Sequence, residues 1–400
     1  MDQWLKLKQE MKLAAKDLGI DAIGVASPDP FVVLKERLIR HRELGRESGF
    51  EPTDDLDQRT DPSLLFDGPK SIIAIAVAYS SKLENAPKSV EGARRGIFSR
   101  TSWGNDYHNV LRDRLNRLEQ WLQERVPELR AKSMVDTGEL SDRAVAERAG
   151  IGFSAKNSFI INPELGTWIY LGEMITNLPL PPDEPITDLC GECTKCIDAC
   201  PTGALVGPGE LNAQACVSYL TQTKSMLTDT QMQKIGNRLY GCDTCQIVCP
   251  INRGKNWNHH EDMLPDPELV KPLLLPLLSM SNKEFKAKYG HMSGSWRGKK
   301  PIQRNAVIAL GNFKDATAVS ALIDVLRKDS REVLRATAAW ALARIGTEEA
   351  RAALVAALAS EQNEVTLSAI KSALQSYESE ETEHIAASTE ADVAAKGKIE

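Results

Sequence analysis

The stretch CGECTKCIDACP, residues 190–201, decides the fold of the middle of the chain because it carries four closely spaced cysteines. Cys216 follows it, and then a second run, Cys242-x2-Cys245-x3-Cys249-Pro250. All eight cysteines of the 400-residue chain therefore lie within 60 residues, and the other 340 residues have none. In a reducing compartment, clustered cysteines are more often metal ligands than disulfide partners. The pattern predicts a metal-binding domain.

The spacing Cys-x2-Cys-x2-Cys-x3-Cys-Pro is that of bacterial ferredoxins, in which the fourth cysteine of the run binds the second of two [4Fe–4S] clusters. The same crossing here gives two ligand sets: Cys190, Cys193, Cys196 and Cys249, and Cys200, Cys216, Cys242 and Cys245. The 25 residues between Cys216 and Cys242 form a polar insertion that we expect to cover a neighbouring site. Zinc is the alternative metal, but four sulfurs this close in sequence fit a cluster better than one zinc ion.

The residues before the cysteines predict a domain of mixed strands and helices. Hydrophobic periodicity is helical over residues 4–18 and 107–125, and short strands are predicted at 22–27, 71–79, 133–136 and 167–173. The run SIIAIAVAY at 71–79 is almost continuously apolar, which is typical of a strand covered on both faces. Interleaved strands and helices predict an α/β or α+β fold, and we assign residues 1–178 to it.

The rest of the chain divides at a proline-rich stretch and at a repeat. LPLPPDEP, residues 178–185, is expected to connect the first domain to a ferredoxin-like domain at 179–265. From about residue 301 the sequence repeats with a period of 32, so that Ala309, Ala341 and Ala373 align. This predicts an all-α domain of HEAT-like repeats at 266–376. The alternative, an alanine-rich helical bundle, does not explain the fixed register. Residues 377–400 are acidic and are predicted to be disordered.

Charge and hydropathy exclude few functions. The net charge is −6, but residues 377–400 hold seven acidic residues and two lysines, so the other 376 residues are near neutral at −1. Local basic patches therefore decide whether a nucleic acid can bind. The longest apolar run, residues 72–79, is far shorter than the roughly 20 residues of a membrane helix. The charged start MDQWLKLKQEMK has no apolar segment or twin-arginine pair, which predicts a cytoplasmic protein without a membrane partner.

Several stretches together resemble the epoxyqueuosine reductase family, whose members complete queuosine in tRNA. Besides the run at 190–201, they are Arg59-Thr-Asp-Pro62, Ser99-Arg100, Trp103-Gly-Asn-Asp-Tyr-His108, Val135-Asp-Thr-Gly138, Arg148-Ala-Gly-Ile-Gly152, Lys156-Asn157, Cys216-Val-Ser-Tyr-Leu220 and Gly241-Cys-Asp-Thr-Cys-Gln-Ile-Val-Cys-Pro250. The resemblance covers about residues 1–260, and the repeats fit the longer members. Thr101 departs from it, since a tyrosine is expected after Ser99-Arg100.

The resemblance implies a nitroreductase-like first domain that holds base-off cobalamin beside the near cluster. Electrons from an external donor would pass through both clusters to cobalt, and epoxyqueuosine at the wobble position of a tRNA with a GUN anticodon would be reduced to queuosine. Asp136 matches the position of the proton donor. A carboxyl group donates a proton at neutral pH only if its surroundings raise its pKa. The alternative role for Asp136 is to cap the turn at Thr137-Gly138.

The resemblance also implies binding residues. For the corrin they are Arg59, Ser99, Asp136, Asn157, Ile160, Leu171, Ser218 and Ser225, and for tRNA the carried-over position is Thr223. The sequence adds a basic stretch that could neutralise phosphates, with an aromatic neighbour that could stack on a base: Trp296, Arg297, Lys299, Lys300 and Arg304. Arg253, Lys255, Arg335 and Arg344 could extend this track, although a solvated charge run is the simpler interpretation.

Two other functions remain open from the sequence. A cobalamin-dependent reductive dehalogenase would share the cofactors, but it has no need of the repeats and is usually exported. A ferredoxin-type electron carrier with a scaffold of repeats would leave the first domain and Asp136 without a role. No Asp-x-His-x-x-Gly signature is found, and His108 is interpreted as a packed, hydrogen-bonded histidine. A monomer is expected.

Overall fold

The first part of the molecule is built on a four-stranded antiparallel sheet. The structure, a computed structural model, describes residues 3–377. Nearly all of the predicted disordered tail, 377–400, lies outside the described residues. The elements of the first part are α1 (Gln3–Ala14), β1 (Ala22–Ala26), α2 (Val32–Glu43), β2 (Ser71–Ala78), β3 (Ile97–Phe98), α3 (Tyr107–Gln123), β4 (Ala131–Met134), α4 (Asp142–Arg148), β5 (Phe153–Ser154), β6 (Ile160–Ile161) and β7 (Ile169–Thr176).

The strand order of this sheet is β1-β2-β7-β4, and all three pairings are antiparallel. Every residue of β2 is buried. On one face Ile73 and Ile75 share a core with Leu111 of α3, and on the other Ile72 shares a core with Val145 of α4. The prediction of a strand covered on both faces is confirmed. Such runs usually belong to parallel sheets, but here two helices cover both faces of an antiparallel one.

The cysteines lie in the middle part, two of them in short helices and the others in the loops beside these helices. Its elements are α5 (Lys195–Asp198), β8 (Leu205–Gly207), β9 (Glu210–Leu211), α6 (Val217–Gln222), α7 (Asp229–Ile235), β10 (Arg238–Tyr240) and α8 (Thr244–Ile247). Helices α5 and α8 pack together, and each contains one cysteine of its run. Strand β10 pairs with β3 of the first part, so the insertion after Cys216 is joined to the first domain.

The last part is helical, as predicted. Its helices are α9 (Pro267–Val270), α10 (Leu274–Ser279), α11 (Asn282–Tyr289), α12 (Lys299–Phe313), α13 (Val319–Lys328), α14 (Glu332–Ile345), α15 (Glu348–Ser360) and α16, residues 364–377. Short 3-10 helices occur at Pro62–Leu64, Arg100–Ser102, Ala213–Ala215, Pro250–Asn252, Glu261–Met263, Ser293–Ser295 and Ala316–Ala318. The aligned alanines fall on α12, α14 and α16, where close packing needs small residues: a Cβ on Gly311 would lie 2.9 Å from the Cα of Ala341.

One hydrophobic core joins the last part to the other two. It includes Phe98 of β3, Leu220 of α6, Leu239 of β10, Ile302 of α12 and Leu342 of α14. Because α12 lies between α14, α10 and β10, its residues 301–311 are all buried. The domain limits at 178, 265 and 376 therefore stay predictions, since packing crosses at least the middle one. None of the helices described over residues 3–377 is long and apolar enough to cross a membrane.

Candidate active site

Asp136 lies in the turn just after β4, with its backbone in the left-handed region at φ 52°. Its Oδ2 accepts a hydrogen bond from the Tyr107 hydroxyl at 2.8 Å and lies 3.3 Å from Nε2 of His108. Its backbone N–H donates to Oδ2 of Asp142 at 2.8 Å. Contacts from the first residues of α3 and α4 thus fix this turn, and 60% of the Asp136 side chain stays exposed. The carboxylate is accessible and held at the same time.

His108 bridges two carboxylates. Its Nδ1 lies 2.6 Å from Oδ1 of Asp106, the N-cap of α3, and its Nε2 faces Asp136. Burial alone would lower the pKa of His108, but the hydrogen bonds to Asp106 and Asp136 raise it to about 9. The bond from His108, helped by the one from Tyr107, lowers the pKa of Asp136 against the effect of burial. The protein contacts alone thus lower the pKa of Asp136 and favour His108 as the protonated partner. The rise that donation by Asp136 requires, for example by burial under the corrin, stays a prediction.

A stack of aromatic rings packs beside His108 and Asp136. The Tyr107 ring stacks on His108 at a centroid distance of 4.1 Å and on Tyr170 of β7 at 4.5 Å. Tyr170 in turn stacks on Tyr79 at 4.3 Å. Burial, together with the charge of Asp136, raises the pKa of Tyr107. The phenol therefore stays protonated and keeps donating to Asp136.

A buried pair of carboxyl groups lies beneath Asp136. Glu173 of β7 is 1% exposed, and burial and the neighbouring Asp142 raise its pKa well above the usual value. Burial and the charge of Asp136 raise the pKa of Asp142 to about 6. Asp142 is thus largely ionised at neutral pH and accepts the N–H of Asp136. A buried carboxyl pair is costly, and here it supports the turn that presents Asp136.

Asp142→Ala should loosen this turn. The bond from the Asp136 N–H to a carboxylate is of the charged kind, worth about 1.5–3 kcal/mol, so amide exchange in a peptide over residues 133–141 should accelerate by roughly 10–100-fold. Hydrogen–deuterium exchange followed by mass spectrometry measures this without substrate. Asp142→Asn, which keeps an acceptor, should exchange more slowly than Asp142→Ala. An unchanged rate in the alanine variant would show that Asp142 does not hold the turn.

Two of the predicted corrin-binding residues have buried donors without partners in the described part of the chain. They are Nε and Nη1 of Arg59 and Nδ2 of Asn157, which is 3% exposed. Arg59 lies close enough to Arg143, the second residue of α4, for its charge to lower the pKa of Arg143, after burial as the main cause. An unpaired buried donor costs about 1–3 kcal/mol. A ligand rich in amide and phosphate oxygens, such as cobalamin, fits these donors.

Three of the other predicted corrin-binding residues lie on separate elements, and Ser99 and Ser225 lie in loops. Ile160 of β6 and Leu171 of β7 share the core on the α4 side of the sheet. Ser99 is 4% exposed, and its hydroxyl is hydrogen-bonded to the hydroxyl of Thr101 at 2.8 Å. Thr101, which stands where a tyrosine was expected, therefore makes a local contact of its own. Ser218 lies in α6 and hydrogen-bonds with Gln222, whereas Ser225 is exposed. Ser218 and Ser225 thus come from the insertion after Cys216.

The predicted tRNA residues divide into exposed and buried ones. Trp296 is 53% exposed, and the guanidinium of Arg297 lies 5.0 Å from its ring and 4.9 Å from that of Phe50. Lys300 is exposed, while Lys299 donates to the carbonyl of Met280 at 2.8 Å. Thr223 is 8% exposed. Trp296, Arg297 and Lys300 thus form a basic and aromatic surface.

Arg304 does not belong to that surface. It is 2% exposed and donates to the carbonyl oxygens of Leu220, Thr223 and Ser225. The prediction that Arg304 contacts phosphate is wrong in this structure, because its guanidinium instead fixes the insertion onto α12. Arg335 is likewise engaged, in an ion pair with Glu361 at 2.7 Å.

The eight cysteines are partly buried, and no disulfide bond joins any of them. Burial raises the pKa of Cys196, and the nearby thiolates of Cys249 and Cys193 add to the rise. Burial likewise raises the pKa of Cys216, with Cys242 and Cys200 as its charged neighbours. The last cysteine of each run thus interacts with cysteines outside its own run, which agrees with crossed ligand sets. Sulfurs on one tetrahedral zinc ion lie about 3.8 Å apart, whereas within residues 3–377 no three of these sulfurs lie within 4.8 Å of one another.

The fold and this site define a class: an oxidoreductase in which a mixed α and β domain is joined to a ferredoxin-like domain for two [4Fe–4S] clusters and to helical repeats. Family models agree part by part. Residues 59–137 match the epoxyqueuosine reductase QueG model, residues 189–252 a 4Fe–4S double cluster binding domain, and residues 298–375 HEAT repeats. The double-cluster match favours iron–sulfur clusters over zinc.

Curated relatives identify the family. The chain is 62% identical over 341 residues to the epoxyqueuosine reductase of Bacillus anthracis, covering 85% of this chain and 90% of that protein. It is 60% identical over 341 residues to that of Bacillus subtilis (strain 168), covering 85% and 88%. The chain belongs to the epoxyqueuosine reductase family, as its motifs predicted, and is an oxidoreductase.

Solved structures agree with the fold. A selenomethionine-labelled epoxyqueuosine reductase superposes with a TM-score of 0.92 at 56% identity, covering 94% of this chain and all of that one. A second, with the same identity and coverage and a TM-score of 0.91, was solved with an epoxyqueuosine-modified stem loop of tRNA-Tyr. A third, from Bacillus subtilis, also with a TM-score of 0.91, has an aspartate catalytic loop swung out of its active site.

The sequence predicted one further group of the site only in part and did not predict another. His108 was interpreted as a packed, hydrogen-bonded histidine, and the structure shows its hydrogen bonds, but its contact with Asp136 was not predicted. Glu173 was not predicted as a site residue, although a glutamate inside the otherwise apolar strand β7 was a signal that this side chain has a specific role. The sequence could not show that His108 faces Asp136 or that Glu173 lies beside Asp142, because the partners in each contact belong to different elements.

Proposed function

We propose that this chain reduces epoxyqueuosine to queuosine at the wobble position of tRNA with a GUN anticodon. The reaction takes up two electrons and two protons, opens both C–O bonds of the epoxide, and releases its oxygen as water. The observation that carries the proposal is the accessible Asp136 carboxylate, paired with a protonated His108 beside buried donors without partners. Family membership supports the substrate.

Cobalamin and the two clusters would, when bound, supply the two electrons from an external donor. In this chain Arg59 and Asn157 would donate hydrogen bonds to the corrin amides or phosphate. The remaining contacts would come from Ser99, Asp136, Ile160, Leu171, Ser218 and Ser225. The clusters would be held by the two crossed cysteine sets.

The proton route follows from the site geometry. His108 holds a proton between Asp106 and Asp136, and the carboxyl group of Asp136, whose side chain is 60% exposed, is the open end of this chain of groups. A proton passed from Nε2 of His108 to Asp136 makes the carboxyl group an acid that can protonate the epoxide oxygen. Tyr107 stays protonated and orients the carboxylate. The expected catalytic role of Asp136 thus needs His108 as its proton store.

Arg59→Met should weaken cobalamin binding by roughly tenfold or more, because the loss of a charged hydrogen bond costs about 1.5–3 kcal/mol. The variant keeps the length of the side chain but has no donor. Anaerobic titration of the apoprotein with cobalamin, followed by its absorbance, measures the dissociation constant. Arg37→Met on α2 is the control and should bind as the wild type does. Equal affinity in the Arg59 variant would remove Arg59 from the corrin site.

Reversing charge at Arg297 and Lys300 should raise the KM for tRNA by roughly tenfold or more at physiological salt, with kcat little changed. Phosphate contacts set affinity, and each lost contact should lower the slope of log KM against log salt by about 0.7–0.9. Steady-state kinetics at several salt concentrations measure both quantities. Lys328→Glu, on the exposed end of α13, is the matched control. An unchanged KM and slope would exclude this surface as the tRNA contact.

The function itself is tested under anaerobic conditions. Protein reconstituted with iron, sulfide and cobalamin is given a chemical reductant and epoxyqueuosine-containing tRNA, and the digested nucleosides are analysed by mass spectrometry. We expect queuosine to appear only with the complete system. Its absence, with both clusters and cobalamin bound, would reject the tRNA substrate and favour a small-molecule reductase.

A further inference from the structure

A second group of ligand-type side chains lies apart from the cysteines and from Asp136. Nε2 of His259 lies 2.7 Å from Oδ1 of Asp21, and Nε2 of His260 lies 2.8 Å from Oδ2 of the same carboxylate. One ligand atom from each of the three residues lies within 4.8 Å of the others. Asp21 comes just before β1, whereas the histidines lie between α8 and α9. Folding therefore joins two segments more than two hundred residues apart in sequence.

The carboxylate is oriented before any ligand arrives. Oδ2 of Asp21 accepts the N–H of Ala78, the last residue of β2, at 2.7 Å, and the Asp21 N–H donates to the carbonyl of Ala76 at 3.0 Å. Hydrogen bonds of this kind orient the carboxylates that bind metals. The hydrogen bonds to the histidines and to Ala78 lower the pKa of Asp21, although burial opposes this. The group is an anion at neutral pH.

The histidine segment is also anchored. Trp257 donates from its indole nitrogen to the carbonyl of Leu165 at 3.0 Å, and its own carbonyl accepts the Ser80 hydroxyl at 2.9 Å. The Trp257 ring meets His259 edge-on at 6.2 Å, and the two histidine rings lie 4.2 Å apart. Both histidines are thus presented from a fixed backbone. A rigid ligand set loses little entropy on binding an ion.

The ligand types select a class of ion. Two imidazoles and one carboxylate suit Zn²⁺ and neighbouring divalent transition metals, whereas Mg²⁺ and Ca²⁺ prefer oxygen alone. Within residues 3–377, the ion pairs of Asp21 are with these two histidines and with no lysine or arginine. The His260 side chain is 9% exposed and that of His259 is 47% exposed, so one side is open for water ligands.

We propose that Asp21, His259 and His260 bind one divalent transition-metal ion of the Zn²⁺ type. Each N–H···O bond is replaced by a metal–nitrogen bond, with the proton of each neutral imidazole carried on Nδ1. The ion fastens the segment between the cluster domain and the repeats to the ends of β1 and β2. Its role is structural, and it is independent of the reaction proposed above.

Cluster-loaded protein dialysed anaerobically against micromolar ZnCl₂ tests the site, with zinc and iron measured by mass spectrometry. We expect one zinc per chain in the wild type, with iron unchanged. His259→Gln and Asp21→Asn should lower the zinc affinity by roughly tenfold or more, and His291→Gln, an exposed histidine elsewhere, should not. Iron content and circular dichroism show whether each variant is folded. Because His259 is largely exposed, its variant is a test that does not depend on the core.

Thermal unfolding gives a second readout. Zinc should raise the midpoint for the wild type and for His291→Gln but leave that of His259→Gln unchanged, because an ion stabilises only the state that binds it. No zinc in the wild type would overturn the proposal. Equal zinc in the wild type and both site variants, or zinc gained only as iron is lost, would overturn it as well, since the ion would then lie elsewhere.

Discussion

Asp136→Asn should lower the rate of queuosine formation by roughly 10²–10⁴-fold, the usual contribution of a positioned general acid. Asparagine keeps the shape of the side chain and can still accept from Tyr107, so the turn, the clusters and cobalamin binding should be preserved. Only the ability to take a proton from His108 and release it is lost. Single-turnover assays with mass spectrometry of nucleosides measure the rate. Glu139→Gln, farther along the same loop, is the control and should react within about twofold of the wild type, as surface changes usually do.

The pH dependence of the same rate tests the source of the proton. Because the pKa of His108 is raised to about 9, the wild-type rate should be steady through neutral pH and fall as the pH rises through about 9, where His108 loses its proton. The contribution of protonated His108, bonded to Asp106 and Asp136, to the stability of the fold changes with pH in the same direction. It is complete below about pH 6.5, the pKa of histidine in the unfolded chain, and is lost as the pH rises through about 9. The His108→Gln variant should react more slowly than the wild type, and its rate should no longer fall as the pH rises through about 9. A wild-type rate for Asp136→Asn, or an identical alkaline limb in His108→Gln, would contradict the route.

The turn that carries Asp136 is also the place where motion is expected to matter. It rests on one backbone bond to Asp142 and on side-chain bonds to Tyr107 and His108. All of these partners lie at the starts of α3 and α4. Because the bonds that fix the turn all come from these two helix starts, the turn can move only if these bonds break.

The sequence predicted features that depend on spacing and period. The cysteine intervals identified the clusters, the 32-residue register identified the repeats, and the apolar run identified β2. The sequence did not predict burial that depends on packing between segments far apart in the chain. Arg304 stands in a basic stretch and looks exposed, but the insertion after Cys216 covers it. The effect of the protein contacts on the pKa of Asp136 could not be predicted, because His108, 28 residues earlier, comes to face it only in the fold.

Loss of a single cluster cysteine should abolish queuosine formation, because an electron route through both clusters has no substitute. Cys249→Ala should leave about four of the eight iron atoms per chain, since one [4Fe–4S] cluster holds four. The absorbance and the electron paramagnetic resonance of the reduced protein should then report the remaining cluster. Cys216→Ala should lose the other cluster and be equally inactive. Detectable turnover by either variant would show that one cluster suffices.

Double variants separate crossed from uncrossed ligand sets, which single variants cannot do. If Cys249 shares a cluster with Cys193, the double alanine variant at 193 and 249 loses one cluster and keeps about four iron atoms. The pair Cys245 and Cys249 then belongs to two clusters, and its double variant loses nearly all iron. Uncrossed sets predict the reverse, because Cys245 and Cys249 would share a cluster. The charged neighbours of Cys196, which are Cys249 and Cys193, favour the crossed result. Crossing ties the two cysteine runs into one unit, so that neither cluster can assemble from its own run alone.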